Sequence, residues 1–162
     1  MSNRLLLIAI LCLAPHTVFA SSKFSPQNCE FSVEFPNIYE TKEIFSPQGN
    51  STILATNPKG SPTKLSAECW PNREISPREY ASKLQTTAGS RGIEVKNITV
   101  GNDKGVQQVV LSGTIGQQPN LYQLRLISYF GKSSRLDLLI MDKRLDLGDE
   151  AQIFRNSVRV KN

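Results

Sequence analysis

A chain of 162 residues with 19 basic and 14 acidic side chains carries a net charge of only +5. Its later cations, Lys132, Arg135, Lys143, Arg144, Arg155 and Arg159, are interleaved with Asp137, Asp142, Asp146, Asp149 and Glu150. That pattern argues against a nucleic-acid partner, whose recognition needs clustered positive charge.

The first twenty residues read as a secretory signal. Arg4 supplies the positive start, Leu5 to Ala14 is an unbroken apolar run of ten, and Val18-Phe19-Ala20 offers a cleavage site. The mature chain is expected to begin at Ser21, in the periplasm or outside the cell. Ten apolar residues fall well short of the roughly 20 that span a bilayer, and no later stretch is longer, so no membrane span is expected. The 142 residues that remain suit one domain; the boundaries read as a polar leader over 21–28 and a single domain over 29–162. Cleavage removes Cys12, leaving Cys29 and Cys69, an even number that in an exported chain favours a disulfide over two buried thiols. It also removes His16, the only histidine. Ser-His-Asp and Cys-His catalysis, histidine-ligated zinc and histidine pH switching all need an imidazole the mature chain lacks.

In chain order, Cys29 to Pro36 alternates strictly, with Phe31, Val33 and Phe35 inward and Glu30, Ser32 and Glu34 outward, as a half-buried strand does. Ile38 to Phe45 and Ser51 to Thr56 are weaker strands about a turn at Ser46 to Asn50. Lys64 to Trp70 is a fourth, carrying Cys69 within reach of Cys29 if the first and fourth strands are neighbours. A helix starts at Ser76: the serine is the N-cap, Pro77 takes the first helical position and Glu79 completes a capping box. Tyr80, Leu84 and Ala88 form its buried stripe, and Gly89 and Gly92 end it. Ile93 to Val100 is a strand, and the turn Gly101 to Gly105 leads into a meander of Val106 to Ile115, Leu121 to Phe130 and Arg135 to Met141. Tyr122, Leu124, Leu126 and Phe130 share one strand face, as do Leu136, Leu138 and Ile140 on the next. Asp146 is expected to cap a second helix with Leu147, Ala151, Phe154 and Val158 on one side. Strands, helix, four strands, helix make an α+β fold: an antiparallel sheet of six to eight strands with two packed helices.

No constellation in the sequence supports chemistry. Gly131-Lys132-Ser133 has the end of a phosphate loop, but Leu126 stands where the earlier glycine is needed and a strand follows, so it reads as a hairpin turn. Ser61-Pro62-Thr63-Lys64 has Ser-x-x-Lys spacing in a loop, without the helical turn that would bring Lys64 under Ser61. Asp142, Asp146, Asp149 and Glu150 match no calcium loop, and helix capping accounts for most of them. No catalytic, cofactor or metal residue is therefore assigned. Trp70, next to Cys69, is expected to pack on the disulfide or to anchor a partner. Arg125 and Tyr129 share a face with Ile127 opposite the more apolar one; if helices cover only one side of the sheet, they line an open surface.

The Cys-x-Phe-x-Val-x-Phe-Pro opening, the Tyr80-Ala81 helix, the strand Tyr122-x-x-Arg125-x-x-x-Tyr129 and the closing Phe154-Arg155-Asn156-Ser157-Val158-Arg159-Val160 resemble small exported bacterial proteins of the PsbP-like superfamily. Where that family has Pro-x-Gly-Trp, this chain has Pro36-Asn37-Ile38-Tyr39. The resemblance implies an α-β-α sandwich and an accessory, protein-binding role without catalysis. With it, the expected function is an exported non-enzymatic module with a protein partner and a candidate surface at Trp70, Arg125 and Tyr129. A small-molecule or lipid binder is the alternative, and a carboxylate- or lysine-dependent enzyme is a more remote one.

Overall fold

The computed structural model describes residues 22–45, 50–56, 63–71, 75–144 and 148–161. The signal segment lies outside them, as do Ser61, Pro62, Asp146 and Leu147.

Among the described residues, ten strands and two α-helices are arranged around a central sheet, with a small sheet and one helix on one face and the other helix on the second. In chain order they are β1 (Lys23–Phe24), β2 (Phe31–Glu34), β3 (Glu40–Phe45), β4 (Ser51–Thr56), β5 (Lys64–Pro71), α1 (Pro77–Thr87), β6 (Ile93–Asp103), β7 (Val106–Ile115), β8 (Tyr122–Phe130), β9 (Ser134–Asp142), α2 (Asp149–Asn156) and β10 (Arg159–Val160). The main sheet is antiparallel throughout, seven strands in the order β3-β4-β5-β9-β8-β7-β6. A small sheet, β1-β2-β10, lies apart from it. The α+β expectation, with a sheet of six to eight strands and two helices, stands.

The sharp boundaries are where local chemistry is strongest. Ser76 caps α1 as expected: its hydroxyl accepts from the Glu79 N–H while the Glu79 carboxylate accepts from the Ser76 N–H at 3.0 Å. A single helical turn over Gly89–Arg91 follows, closed by Gly92 at φ 71°, a left-handed conformation that favours glycine. Strand β6 runs on to Asp103, three residues further than expected, while β7 has its expected bounds. They meet at a two-residue turn in which Lys104 and Gly105 both have positive φ, 52° and 82°, matching the twist of a tight hairpin.

Cross-strand register sorts the side chains onto two faces. On the first, Ile127 stands opposite Leu138, Tyr129 opposite Leu136, and Leu65 opposite Ile140. These pack with Ile53, Ala55 and Ala67 against Phe24, Phe31, Val33 and Phe35 of the small sheet and Ala151, Phe154 and Val158 from α2 and its end. On the second face, Leu111, Leu124 and Ala88 form a smaller core with Leu84, Ile98, Leu126 and Leu139. There α1 packs on β6 and β7.

Four expectations need correction. Residues 21–28 are not merely a polar leader: Phe24 is buried in the core and its strand β1 pairs with β2. The strand after Cys29 is not a neighbour of β5; Cys29 and Cys69 are bonded, Cα to Cα 6.1 Å, and the bridge ties the small sheet to the main one. The second helix starts later, with Gly148 as its N-cap, although Asp149 and Glu150 do fill its first turn. The face carrying Ile127 and Tyr129 is not open. It is the better sealed of the two, because the small sheet and α2 cover it while α1 covers part of the other.

Candidate functional site

The three residues singled out from the sequence do not come together. Tyr129 lies 3% exposed on the sealed face, its ring 6.3 Å from that of Phe31. Arg125 is half-buried on the same side, opposite Ile140. Trp70 is on the second face, where it organises a cluster that the sequence did not announce.

Trp70 at the end of β5 stands opposite Arg135 at the start of β9. The Arg135 guanidinium lies between two rings, 5.2 Å from the Trp70 ring and 4.3 Å from the Tyr80 ring of α1. It donates to both Asp137 oxygens, each at 2.9 Å, in a bidentate pair. Tyr80 in turn meets Phe130 edge-on at 5.6 Å. Burial, then the nearby Asp137 carboxylate, push the Tyr80 phenol up to about 12 against the opposing Arg135 charge. Glu68 is directly opposite Asp137 across β5 and β9. Its carboxyl is raised above the usual range, first by burial and then by Asp137, although the Asn50 amide donates to it at 3.3 Å. The two carboxylates converge, but one is neutralised by Arg135 and the other bound by Asn50. The arrangement is a cation–π platform.

From this platform the second face continues toward the sheet edge without a helix over it among the described residues. Register places Leu54 beside Ser66 and Lys42, and Ile44 beside Thr52. Leu54 and Ile44 are each 43% exposed. Leu139 and Met141 are half-buried on β9, with β5 between them and Leu54, and pack against the smaller core. At the far end Lys64 and Lys143 lie over the Tyr122 ring at 5.0 and 5.4 Å, and among the described residues neither they nor Lys42 has an ion-pair partner. Phe45, on the other side of the edge strand, is 72% exposed. A signal for this face was present in Ile53-Leu54-Ala55: three consecutive apolar residues in one strand place apolar atoms on both faces, whatever covers them.

The turn Gly131-Lys132-Ser133 is a hairpin, as expected, yet its backbone does gather an anion. The Glu30 carboxylate accepts from the N–H groups of Lys132, Ser133 and Ser134 at 3.1, 2.8 and 2.9 Å, and from the Ser134 hydroxyl at 3.1 Å. Burial alone raises this carboxyl, but those donors together outweigh it and hold it below the ordinary range. The protein's own side chain fills the nest. Asp142, 0% exposed, is likewise claimed internally: Thr63 donates to it at 2.6 Å and Arg144 through its backbone N–H, Nε and guanidinium NH2 at 2.8, 3.0 and 2.7 Å. Burial is again the largest influence and again outweighed, so Asp142 also titrates low. Among the described residues no group of three or more cysteine, aspartate, glutamate or histidine side chains forms a metal-holding cluster. No helix there is long and apolar enough to cross a membrane.

No family model matches the sequence, and no curated protein matches it. Solved structures do match in shape. Cyanobacterial PsbP (CyanoP) from Synechocystis sp. PCC 6803 superposes with a TM-score of 0.62 at 11% identity, covering 93% of this chain and 98% of that one. A protein from Bacteroides thetaiotaomicron VPI-5482 gives 0.60 at 11% identity over 86% of this chain, which spans only 48% of the Bacteroides chain. The fold is PsbP-like. At such identity the likeness speaks for architecture alone.

Proposed function

We propose that the mature protein is an exported, non-enzymatic accessory module that docks a protein partner on the half of its main sheet that the described residues leave uncovered. The observation that carries this reading is the exposure of Leu54 and Ile44 beside a prebuilt aromatic–cation platform at Trp70, Arg135 and Tyr80. Exposed apolar side chains in a contiguous patch mark interaction surfaces more than isolated ones do, and Trp, Tyr and Arg are the residues that anchor such contacts. Lys42, Lys64 and Lys143 around it, which have no ion-pair partner among the described residues, favour a segment whose apolar side chains are flanked by carboxylates. Export is supported by the signal-like residues 1–20, and the bonded Cys29 and Cys69 are consistent with it.

The test is paired capture from the native envelope or medium, with the mature chain and its Leu54→Glu variant as baits, followed by mass spectrometry and a binding titration on the protein retained. The expected result is a partner held by the parent and weakened about 100-fold by a charge placed at the centre of the patch. A partner indifferent to Leu54→Glu, or repeated captures that retain only a small molecule, would overturn the reading. Intact mass of the exported material is expected to place the start at Ser21 and to show the cysteines oxidised.

A further inference from the structure

A second, smaller site lies at the opposite end of the molecule, away from the uncovered sheet face. The β6–β7 turn, the end of α2 and strand β10 surround a cleft of about 400 Å³ lined by Asp103, Lys104, Val106, Tyr129, Arg155, Val158, Arg159 and Val160. A volume of this size is at the lower end of what small-ligand sites occupy. Its walls are of two kinds. Three valines and the Tyr129 ring are apolar, and Lys104, Arg155 and Arg159 are cationic.

Two buried polar groups in this cleft have no hydrogen-bond partner of good geometry among the described residues. The Tyr129 hydroxyl, on a side chain 97% removed from solvent, lies close to Arg155 and Asp103 but makes no hydrogen bond of good geometry. The Nε–H of Arg155 is buried and has none either. Buried polar groups are nearly always satisfied, so an Nε–H donor and a hydroxyl left open around one cavity call for an acceptor. Among the described lining residues Asp103 is the one acid, and it stands 3.8 Å from the Arg155 guanidinium, beyond hydrogen-bond reach. Arg159 is already turned to its own chain, donating to the Asn156 and Val158 carbonyls at 2.7 and 2.8 Å. Lys104 reaches the Asn156 carbonyl at only 3.4 Å, from a residue the tight turn holds at φ 52°. The cleft thus presents donors at its buried end, cations at its rim and valines between.

We propose that this cleft binds a small amphiphilic carboxylate, with the acid head accepting from Tyr129 Oη and Arg155 Nε and the apolar tail lying along Val106, Val158 and Val160. A carboxylate rather than a neutral group fits because Arg155 Nε can only donate, the Tyr129 hydroxyl can donate beside it, and the surplus charge of the lining, three cations against Asp103, is positive. An apolar tail fits because Val160, 52% exposed, leaves the mouth lipophilic. The site is independent of the protein-docking face and is not needed for it.

Octanoate is the probe, titrated into the oxidised mature chain and followed by amide NMR, with 1-octanol as the neutral control of equal tail. The expected result is saturable binding with Kd of about 1 mM or tighter, in keeping with a ligand this small. The shifts should centre on Lys104, Tyr129, Arg155, Val158 and Val160, with octanol at least roughly 10-fold weaker because it brings no charge to the donors. Tyr129→Phe, which keeps the ring and removes the hydroxyl, should weaken octanoate about 10-fold and leave octanol unchanged. Arg155→Lys, which keeps a charge but loses the Nε donor, should act in the same direction. Should either variant fail to fold, the octanoate–octanol comparison on the parent decides. Equal binding of the two probes, shifts centred on Leu54 and Ile44, or no saturation by 10 mM, about ten times the expected Kd, would overturn the proposal.

Discussion

The two faces of the main sheet are made from the same kind of strand, yet they have been used differently. Beneath the small sheet, Phe31, Phe35, Phe154, Leu136 and Leu138 exclude water almost completely, with Phe35 and Phe154 rings 4.6 Å apart, and a disulfide fastens the covering layer. On the other face α1 covers β6 and β7, and the strands toward β3 keep Ile44 and Leu54 in solvent. One face is where apolar area has been spent on stability; the other retains apolar area that none of the described residues covers. A substitution should therefore have very different consequences according to the side it strikes.

The largest effect is expected on the sealed side. Phe154→Ala empties a wholly buried aromatic site between α2 and β2, at a cost of about 3–5 kcal/mol measured by denaturant unfolding. An effect under about 1 kcal/mol would show that the small sheet and α2 are a loose cover, erasing the contrast. Replacing both cysteines by serine comes next. The bridge spans a sequence separation of 40, for which the chain-entropy account gives roughly 4 kcal/mol, and the loss should appear as lower thermal stability in the variant and in the reduced parent alike.

How much of this contrast was readable in the sequence depended on whether the deciding contact was local. Ser76, Pro77 and Glu79 carry the start of α1 within four residues, and the alternation in β7, β8 and β9 sets strand limits within one or two positions. Period-two patterning says which side chains share a face, but not which face is covered. Leu124 and Leu126 on one side of β8 and Ile127 and Tyr129 on the other are the mark of a central strand buried on both, and the presence of Arg125 made the second side look wet. Strands β1 and β10 have two residues each, too few for any period. The cluster at Trp70 was half legible: its tryptophan stood out, while Tyr80, Arg135 and Glu68 reach it through strand pairing and helix docking that no short window contains. The partner of Glu30 is more than a hundred residues away.

That long-range contact supplies the third prediction. Glu30→Gln keeps the shape but removes the charge from a carboxylate that anchors the β8–β9 turn to the start of β2, and should cost about 1–3 kcal/mol at neutral pH. The folded protein holds this carboxyl below its unfolded value. Its contribution is therefore fully present above the ordinary carboxylate range and is lost as pH falls through that range toward the lower folded value. Asp142 shares this sign. Stability of the parent should decline on acidification below about pH 5, and Glu30→Gln should show a shallower decline over the same window. Parallel curves for the two proteins would mean that the turn does not need the charge.

The smallest effect is expected on the uncovered face, where the direction is informative. Glu68 stands opposite Asp137 with its carboxyl raised above the usual range, chiefly by burial and then by that second acid. A raised carboxyl pKa has the opposite sign to Glu30: the charged form is disfavoured by folding, so above the unfolded value the ionised side chain subtracts from stability, and the deficit fades as pH falls. Glu68→Gln removes the charge and retains an oxygen for the Asn50 amide, which now donates to Glu68 Oε1. At neutral pH it should be neutral or stabilising by no more than about 1 kcal/mol, the partial exposure of the face screening the repulsion. The gain should disappear in acid, where the parent is itself protonated. A clear loss of stability in Glu68→Gln at neutral pH would mean that the carboxylate is held by Arg135 as a working member of the platform; the Trp70 end of the face would then be an ion-pair network maintained for the fold, leaving Ile44 and Leu54 alone to carry the docking surface.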